Sequence, residues 1–104
     1  MDDDNAKTVY FNTTADSGVP SSVNWLDAGA VTGVKDQGTC GSGWAFSATG
    51  SLEGAHFVAT GELQSFSEQQ LVDCTFIKYG NGGCNIGSQR NAFHYYEAGI
   101  MAML

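Results

Sequence analysis

Positive charge is scarce in this sequence. Four Lys and Arg stand against eleven Asp and Glu, for a formal charge of -7 and a pI near 4.3 over 104 residues. Nucleic-acid binding needs clustered basic side chains to neutralise phosphates, so no nucleic-acid partner is expected. Long apolar runs are missing as well. Nothing approaches the roughly 20 residues of a membrane span, and Met1-Asp2-Asp3-Asp4 lacks the basic and apolar regions of a signal peptide. The chain therefore reads as soluble, with no membrane partner. Leu, Ile, Val and Phe make up only about a fifth of it, near the level where a compact core becomes doubtful. A chain this short buries roughly 60–65% of its unfolded surface. Paired metal-ligand spacing is absent too: there is no C-x2-C, and no H-x3-H around His56 or His94, which argues against zinc. No cofactor and no metal site are expected.

What is abundant is turn chemistry. Fourteen glycines describe a loop-rich chain with several positions of positive φ or close backbone approach. Residues 1–18 are polar and patternless, a lead-in that reads as a tail or propeptide remnant, and the compact unit spans 19–104. Asn12-Thr13-Thr14 fits a glycosylation sequon, informative only in a secretory setting. Three helices are expected. The first starts at Ser42 as N-cap and carries Trp44, Ala45, Ala48, Leu52, Ala55 and Ala59 on one stripe, with Gly61 as its stop. The second opens with the capping box Ser67-Glu68-Gln69-Gln70 and ends near Cys74. The third runs from about Ser88 to Ala98, with Ala92, Phe93, Tyr95 and Tyr96 as its apolar positions and Gly99 as its stop. Tyr79 to Gly87, between the last two, is almost pure turn.

Thr39-Cys40-Gly41-Ser42-Gly43-Trp44 sends a glycine-rich turn into a helix N-terminus, where backbone N–H groups and the helix dipole favour a thiolate or an oxyanion. An ordinary capped helix held by a disulfide from Cys40 is the simpler reading of the same residues. Cys40, Cys74 and Cys84 are an odd number, so one disulfide leaves a thiol unpaired or paired outside this chain.

Residues Gly33 to Ser47, GVKDQGTCGSGWAFS, resemble the active-site segment of papain-like cysteine proteases, especially the cathepsin L branch, where the pattern reads Q-G-x-C-G-S-C-W-A-F. The likeness continues in Val19-Pro20-Ser21-Ser22-Val23-Asn24-Trp25, similar to the mature amino terminus, in Gly54, in Thr60-Gly61, in Ser67 to Cys74 and in Gly83-Cys84-Asn85. It covers roughly Val19 to Gly99. The resemblance implies an α+β fold of which the chain holds mainly the helical left half, with short extended segments near Val23 and Ala30-Val31-Thr32 that pair with the other half. It implies endopeptidase activity, a peptide or protein substrate or inhibitor as partner, and a secreted or lysosomal/vacuolar location.

Roles follow residue by residue from the resemblance. Gln37 would donate to the oxyanion, Cys40 would bridge to Cys84, and Gly41, Ser42, Trp44, Asn85, Ile86 and Gly87 would line the substrate cleft. Ser88 and Gln89 fall near the pocket for the second residue before the cut. Gly43 occupies the nucleophile position, where hydrogen cannot attack a carbonyl. The histidine- and asparagine-bearing half is expected beyond Leu104, and it would be this chain's partner. His56 and His94 read as helix positions rather than bases, and Glu53 and Glu68 as a helix position and a capping-box neighbour. The chain is accordingly expected to be inactive; a pseudoprotease or an excised peptide- or partner-binding module is the alternative. With helix one normally packed between two halves, its face around Trp44 and Ala48 is expected to be wet. If Cys40 and Cys84 are bridged, thiol titration of the oxidised monomer should return one free thiol, on Cys74. Three free thiols would refute the bridge.

Overall fold

A computed structural model describes residues 18–97. Residues 1–17 of the lead-in, the Asn12 sequon and the expected stop at Gly99 lie outside them. Three helices follow one another: α1 (Gly43–Thr60), α2 (Glu68–Cys74) and α3 (Gln89–Glu97). No β-strand occurs among the described residues, and one parallel bridge joins Phe76 to Asn81. The segments expected to be extended are not strands. Residues 24–30 instead form turns in which Asn24 Oδ1 accepts from the Leu26 N–H at 3.0 Å and Trp25 O from the Ala30 N–H at 3.0 Å. An extended segment needs a neighbour to pair with, and no described residue offers one.

Helix ends follow the sequence signals in part. Gly61 closes α1 with φ 78° and donates its N–H to Phe57 O at 2.7 Å, a conformation that a Cβ would oppose. Ser42 sits at the other end but makes no side-chain cap; its hydroxyl leans on the Cys40 carbonyl at 3.5 Å. At α2 only half of the capping box forms. Ser67 Oγ accepts from the Gln70 N–H at 3.1 Å, while the Gln70 amide reaches away to the Tyr95 hydroxyl at 3.0 Å. Ser88 caps α3 by accepting from the Asn91 N–H at 3.1 Å.

The core is Trp44, Ala45, Ala48, Leu71, Ala92 and Tyr95. Alanines on α1 and α3 let the helices approach closely around Leu71, and burying one such leucine contributes about 1.5–3 kcal/mol. This corrects the expectation of a wet helix face: Trp44 is 6% and Ala48 0% exposed, because α2 and α3 already cover them. The apolar surface left in water lies elsewhere, at Val19, Val23, Trp25, Leu26, Val31 and Val34. The expected stripe also turns out of register. Ala55 and Ala59 are exposed and Leu52 half-buried, whereas Thr49 and Glu53 are buried.

Glu53 and, beside Thr49, Glu68 share one lysine. Lys35 Nζ lies 2.8 Å from Glu53 Oε2 and 2.6 Å from Glu68 Oε2. Glu53 also accepts from the Phe66 N–H at 2.8 Å and the Thr32 hydroxyl at 3.0 Å; Thr49 donates to Glu68 at 2.6 Å. One ammonium thereby ties the segment before α1 to α1 and to the start of α2. Burial alone would raise the Glu68 carboxyl, but hydrogen bonds from Lys35, Thr49 and its own backbone, together with the Lys35 charge, hold it below 4.5. Burial likewise works against the Lys35 charge, and the two carboxylates outweigh it, lifting Lys35 above 10.5.

The signs give a pH profile. Glu68, depressed in the folded state, contributes stability that is full above 4.5 and lost as pH falls through its folded value; Lys35, raised, contributes below 10.5 and loses that as pH rises through its folded value. Urea midpoints should therefore fall at both ends of the pH range, and Glu68→Gln should flatten the acid limb. Lys35→Met strands two buried carboxylates and should cost about 3–5 kcal/mol at neutral pH. A loss under about 1 kcal/mol would show that the cluster carries no load.

Candidate active site

The turn before α1 is organised around one carbonyl. Cys40 O accepts from the Ser42 N–H at 2.8 Å and from the Gln37 side-chain amide at 2.9 Å. Upstream, Asp36 Oδ1 accepts from the Gly38 N–H at 2.8 Å, and Gly38 has φ 64°. These bonds bend the chain so that α1 starts at Gly43, beside Gln37. The first N–H groups of a helix have no partner within it, and no described residue accepts from those of Gly43 or Trp44. They form the positive end of an 18-residue helix dipole.

The glycine-rich loop is fastened to this turn. Cys40 and Cys84 are disulfide-bonded with Cα atoms 4.7 Å apart, and Gly41 donates its N–H to Cys84 O at 2.9 Å. A bridge across 44 positions contributes about 4 kcal/mol by restricting the unfolded chain. Trp44 makes the third attachment: its indole N–H donates to Gly83 O at 3.1 Å, and its ring fills the space where a side chain on Gly87 would lie. Cys74 is the one free cysteine among the described residues, and it is exposed. Asn81 organises the loop from within, donating to Thr75 Oγ1 at 3.0 Å and accepting the Ser88 N–H at 2.9 Å.

Gln37, Cys40, Gly41, Ser42, Gly43, Trp44, Cys84, Asn85 and Gly87 therefore meet in one patch. Ile86 is 74% exposed at its rim. Ser88 is committed to capping α3. A Cβ on Gly43 would meet only Gln37 Oε1, at 3.6 Å, an ordinary contact. A Cβ on Gly41 would collide with the Cys84 carbonyl. The fold needs glycine at 41 and not at 43. His56 lies about 20 Å along α1 from Gly43 at 1.5 Å per residue, edge-on to Phe66 with centroids 5.9 Å apart. His94 lies in the last turn of α3.

Sequence reasoning missed the Lys35–Glu53–Glu68 cluster, although the four-residue spacing of Ala45, Thr49 and Glu53 marks a common helix face. It also missed a cavity of about 200 Å³ behind Gln37, walled by Asp36, Ser42, Phe46, Glu68 and Val72. Tyr96, packed at the core edge, is pushed up to about 12 by burial and then by the Glu68 and Glu53 charges; it stays a neutral phenol. Tyr95 moves the same way through burial and the neighbouring Cys74.

The three-helix arrangement with its stapled turn has the architecture of a papain-like cysteine protease. The profile of the papain family of cysteine proteases matches residues 19–103, and the chain belongs to that family. Cathepsin L of Sarcophaga peregrina is 66% identical over 79 residues, covering 76% of this chain and 23% of that protein. Cathepsin L1 of Drosophila melanogaster is 58% identical over 95 residues, covering 91% and 25%. The Amb a 11 cysteine protease of ragweed pollen, in its proform, superposes with a TM-score of 0.76 at 46% identity, over 84% of this chain and 26% of that one. A Carica candamarcensis cysteine protease in complex with E-64 gives 0.76 at 39% identity, over 82% and 38%. The chain thus spans about a quarter of the length of these curated relatives. The likeness carries the α+β fold, of which the described residues supply three helices and the turns between them.

The two glycines separate in a stability measurement. Gly43→Ala should leave the urea midpoint unchanged or raise it, by up to about 1 kcal/mol, since alanine favours the helix and finds room. Gly41→Ala should cost several times that, because the loop must leave the turn or the backbone must shift. Equal effects would refute the assignment of close approach to Gly41.

Proposed function

We propose that this chain is the turn-bearing, N-terminal half of a cathepsin L-like cysteine endopeptidase domain, residues 19–104, in which Gly43 holds the nucleophile position and the chain by itself cuts no peptide. The observation that carries it is the site at residue 43: a helix N-terminus, free amides and the Gln37 side chain surround a position with room for a side chain and none present. In the reaction proposed for the complete site, a thiolate on residue 43 adds to the scissile carbonyl. An imidazolium then gives its proton to the leaving amine, and water releases the acyl group. The Gly43 N–H would face the oxyanion of the tetrahedral intermediate, where a single donor is worth about 2.7–4 kcal/mol; the Gln37 amide, which here donates to Cys40 O and turns Oε1 toward residue 43, would join it by rotating its N–H groups inward. With hydrogen at 43 there is no bond to form, although the backbone N–H of residue 43 remains. Gly41, Ser42, Trp44, Asn85, Ile86 and Gly87 line the cleft for an extended peptide or an inhibitor, and a histidine-bearing half is the intramolecular partner. A secreted or lysosomal location suits the disulfide. No helix among the described residues is long and apolar enough to cross a membrane.

Four samples test this: the chain and its Gly43→Cys variant, each with and without the histidine-bearing half of a cathepsin L relative. Only Gly43→Cys with that half should cleave a fluorogenic peptide, in a reaction abolished by alkylation. Gly43→Cys alone should be alkylated at residue 43, located by peptide mapping because Cys74 also reacts, without turnover. Thiol-inhibitor-sensitive turnover by the unmodified chain would overturn the proposal.

A further inference from the structure

Asn81-Gly82 is the one Asn-Gly step in the sequence. Because glycine has no Cβ, little hinders its backbone nitrogen from attacking the side-chain amide of the residue before it. The fold holds both reactants. Asn81 is 4% exposed, its Nδ2 donates to Thr75 Oγ1 at 3.0 Å, and its Oδ1 accepts from the Ser88 N–H at 2.9 Å. The Gly82 nitrogen is engaged as well, donating its proton to Ile86 O at 2.6 Å. Ring closure needs a side chain free to bring Cγ onto that nitrogen, and a nitrogen free to give up its proton. Neither condition is met while the loop stays folded.

The bonds that tie this loop to α1 are gathered just beyond Asn81. Cys84 carries the disulfide to Cys40, while Gly83 O and Cys84 O accept from the Trp44 indole and the Gly41 N–H. The disulfide is the covalent member of this set, and each hydrogen bond contributes much less than it does. Breaking the disulfide lowers the cost of opening the loop locally, with the packing of Ala45, Ala48, Leu71 and Ala92 between the helices left in place.

We propose that Asn81 is a deamidation site gated by the Cys40–Cys84 disulfide. An external dithiol reductant is oxidised to its own disulfide as Cys40 and Cys84 become thiols. In the opened loop the Gly82 nitrogen bonds to Asn81 Cγ, the Cγ–Nδ2 bond breaks, and ammonia leaves with the Gly82 amide proton. Water then opens the succinimide on one side or the other, leaving aspartate or isoaspartate. Both products oppose closure of the loop. A carboxylate at 81 has no proton for Thr75 Oγ1, whose own proton goes to Leu71 O, so two oxygens would meet in a buried place. Isoaspartate also adds a backbone methylene between the N–H groups that bond Thr75 O and Ile86 O. Deamidation thereby turns a reversible reduction into a one-way change.

The chain is incubated near neutral pH in three states: oxidised, reduced with dithiothreitol, and unfolded in urea. Peptide mapping reads aspartate and isoaspartate at residue 81, and circular dichroism reads the helices. The reduced chain should deamidate at least about tenfold faster than the oxidised chain while its helices persist. After the dithiol is removed, Asn81→Asp should re-form the Cys40–Cys84 bridge at least about tenfold more slowly than the unsubstituted chain. Equal deamidation rates in the oxidised and reduced chains overturn the gate. A faster rate that appears only once the helices are lost belongs to global unfolding and overturns it too. An oxidised chain that reacts as fast as the unfolded one shows no protection, and equal bridge re-formation in Asn81→Asp overturns the one-way step.

Discussion

Lys35 is the residue on which the arrangement of this chain depends most. With no sheet among the described residues, the segment before α1 has few backbone bonds to hold it. A single ammonium placed between Glu53 and Glu68 joins that segment to two helices. Each carboxylate is then satisfied further by Thr32, Phe66 or Thr49. Buried charges are costly unless each is paired and hydrogen-bonded, so the cluster fixes all three elements together. Gln37 lies two residues beyond Lys35, and the turn that presents it inherits its position from this anchorage.

The second constraint is the attachment of the glycine-rich loop to the start of α1. Disulfide, backbone hydrogen bond and indole ring act within a few residues of one another, and each imposes a different demand. Gly41 has to be bare because a carbonyl approaches it, and Gly87 because a ring does. Gly43 meets neither demand. Its lack of a side chain is thus no packing requirement of the fold. The same attachment keeps the glycine-rich loop beside the N-terminus of α1.

Helix positions were legible in the residues because their signals are local. Gly61, Ser67 and Ser88 act within four residues of where they stand, and α1 to α3 start or stop beside them. The family was legible for a similar reason: the residues of GVKDQGTCGSGWAFS are contiguous. The polar half of the α1 face was not. A stripe drawn through Ala55 and Ala59 follows hydrophobicity, yet Thr49 and Glu53 are the residues that turn inward, because their partners, Lys35 and Glu68, are 18 and 19 positions away in sequence. The dryness of Trp44 was equally hidden, since it depends on where α2 and α3 come to rest.

By itself, then, the sequence determined the turn, the three helices, the family and the hydrogen atom standing at residue 43, all of which are written in neighbouring residues. Only the tertiary structure decided which glycines are obligatory, which carboxylates share Lys35, and that the Trp44 ring comes to rest against Gly87. Those outcomes depend on atoms brought together from distant parts of the chain, where excluded volume and the cost of burying charge act between residues that no local pattern connects.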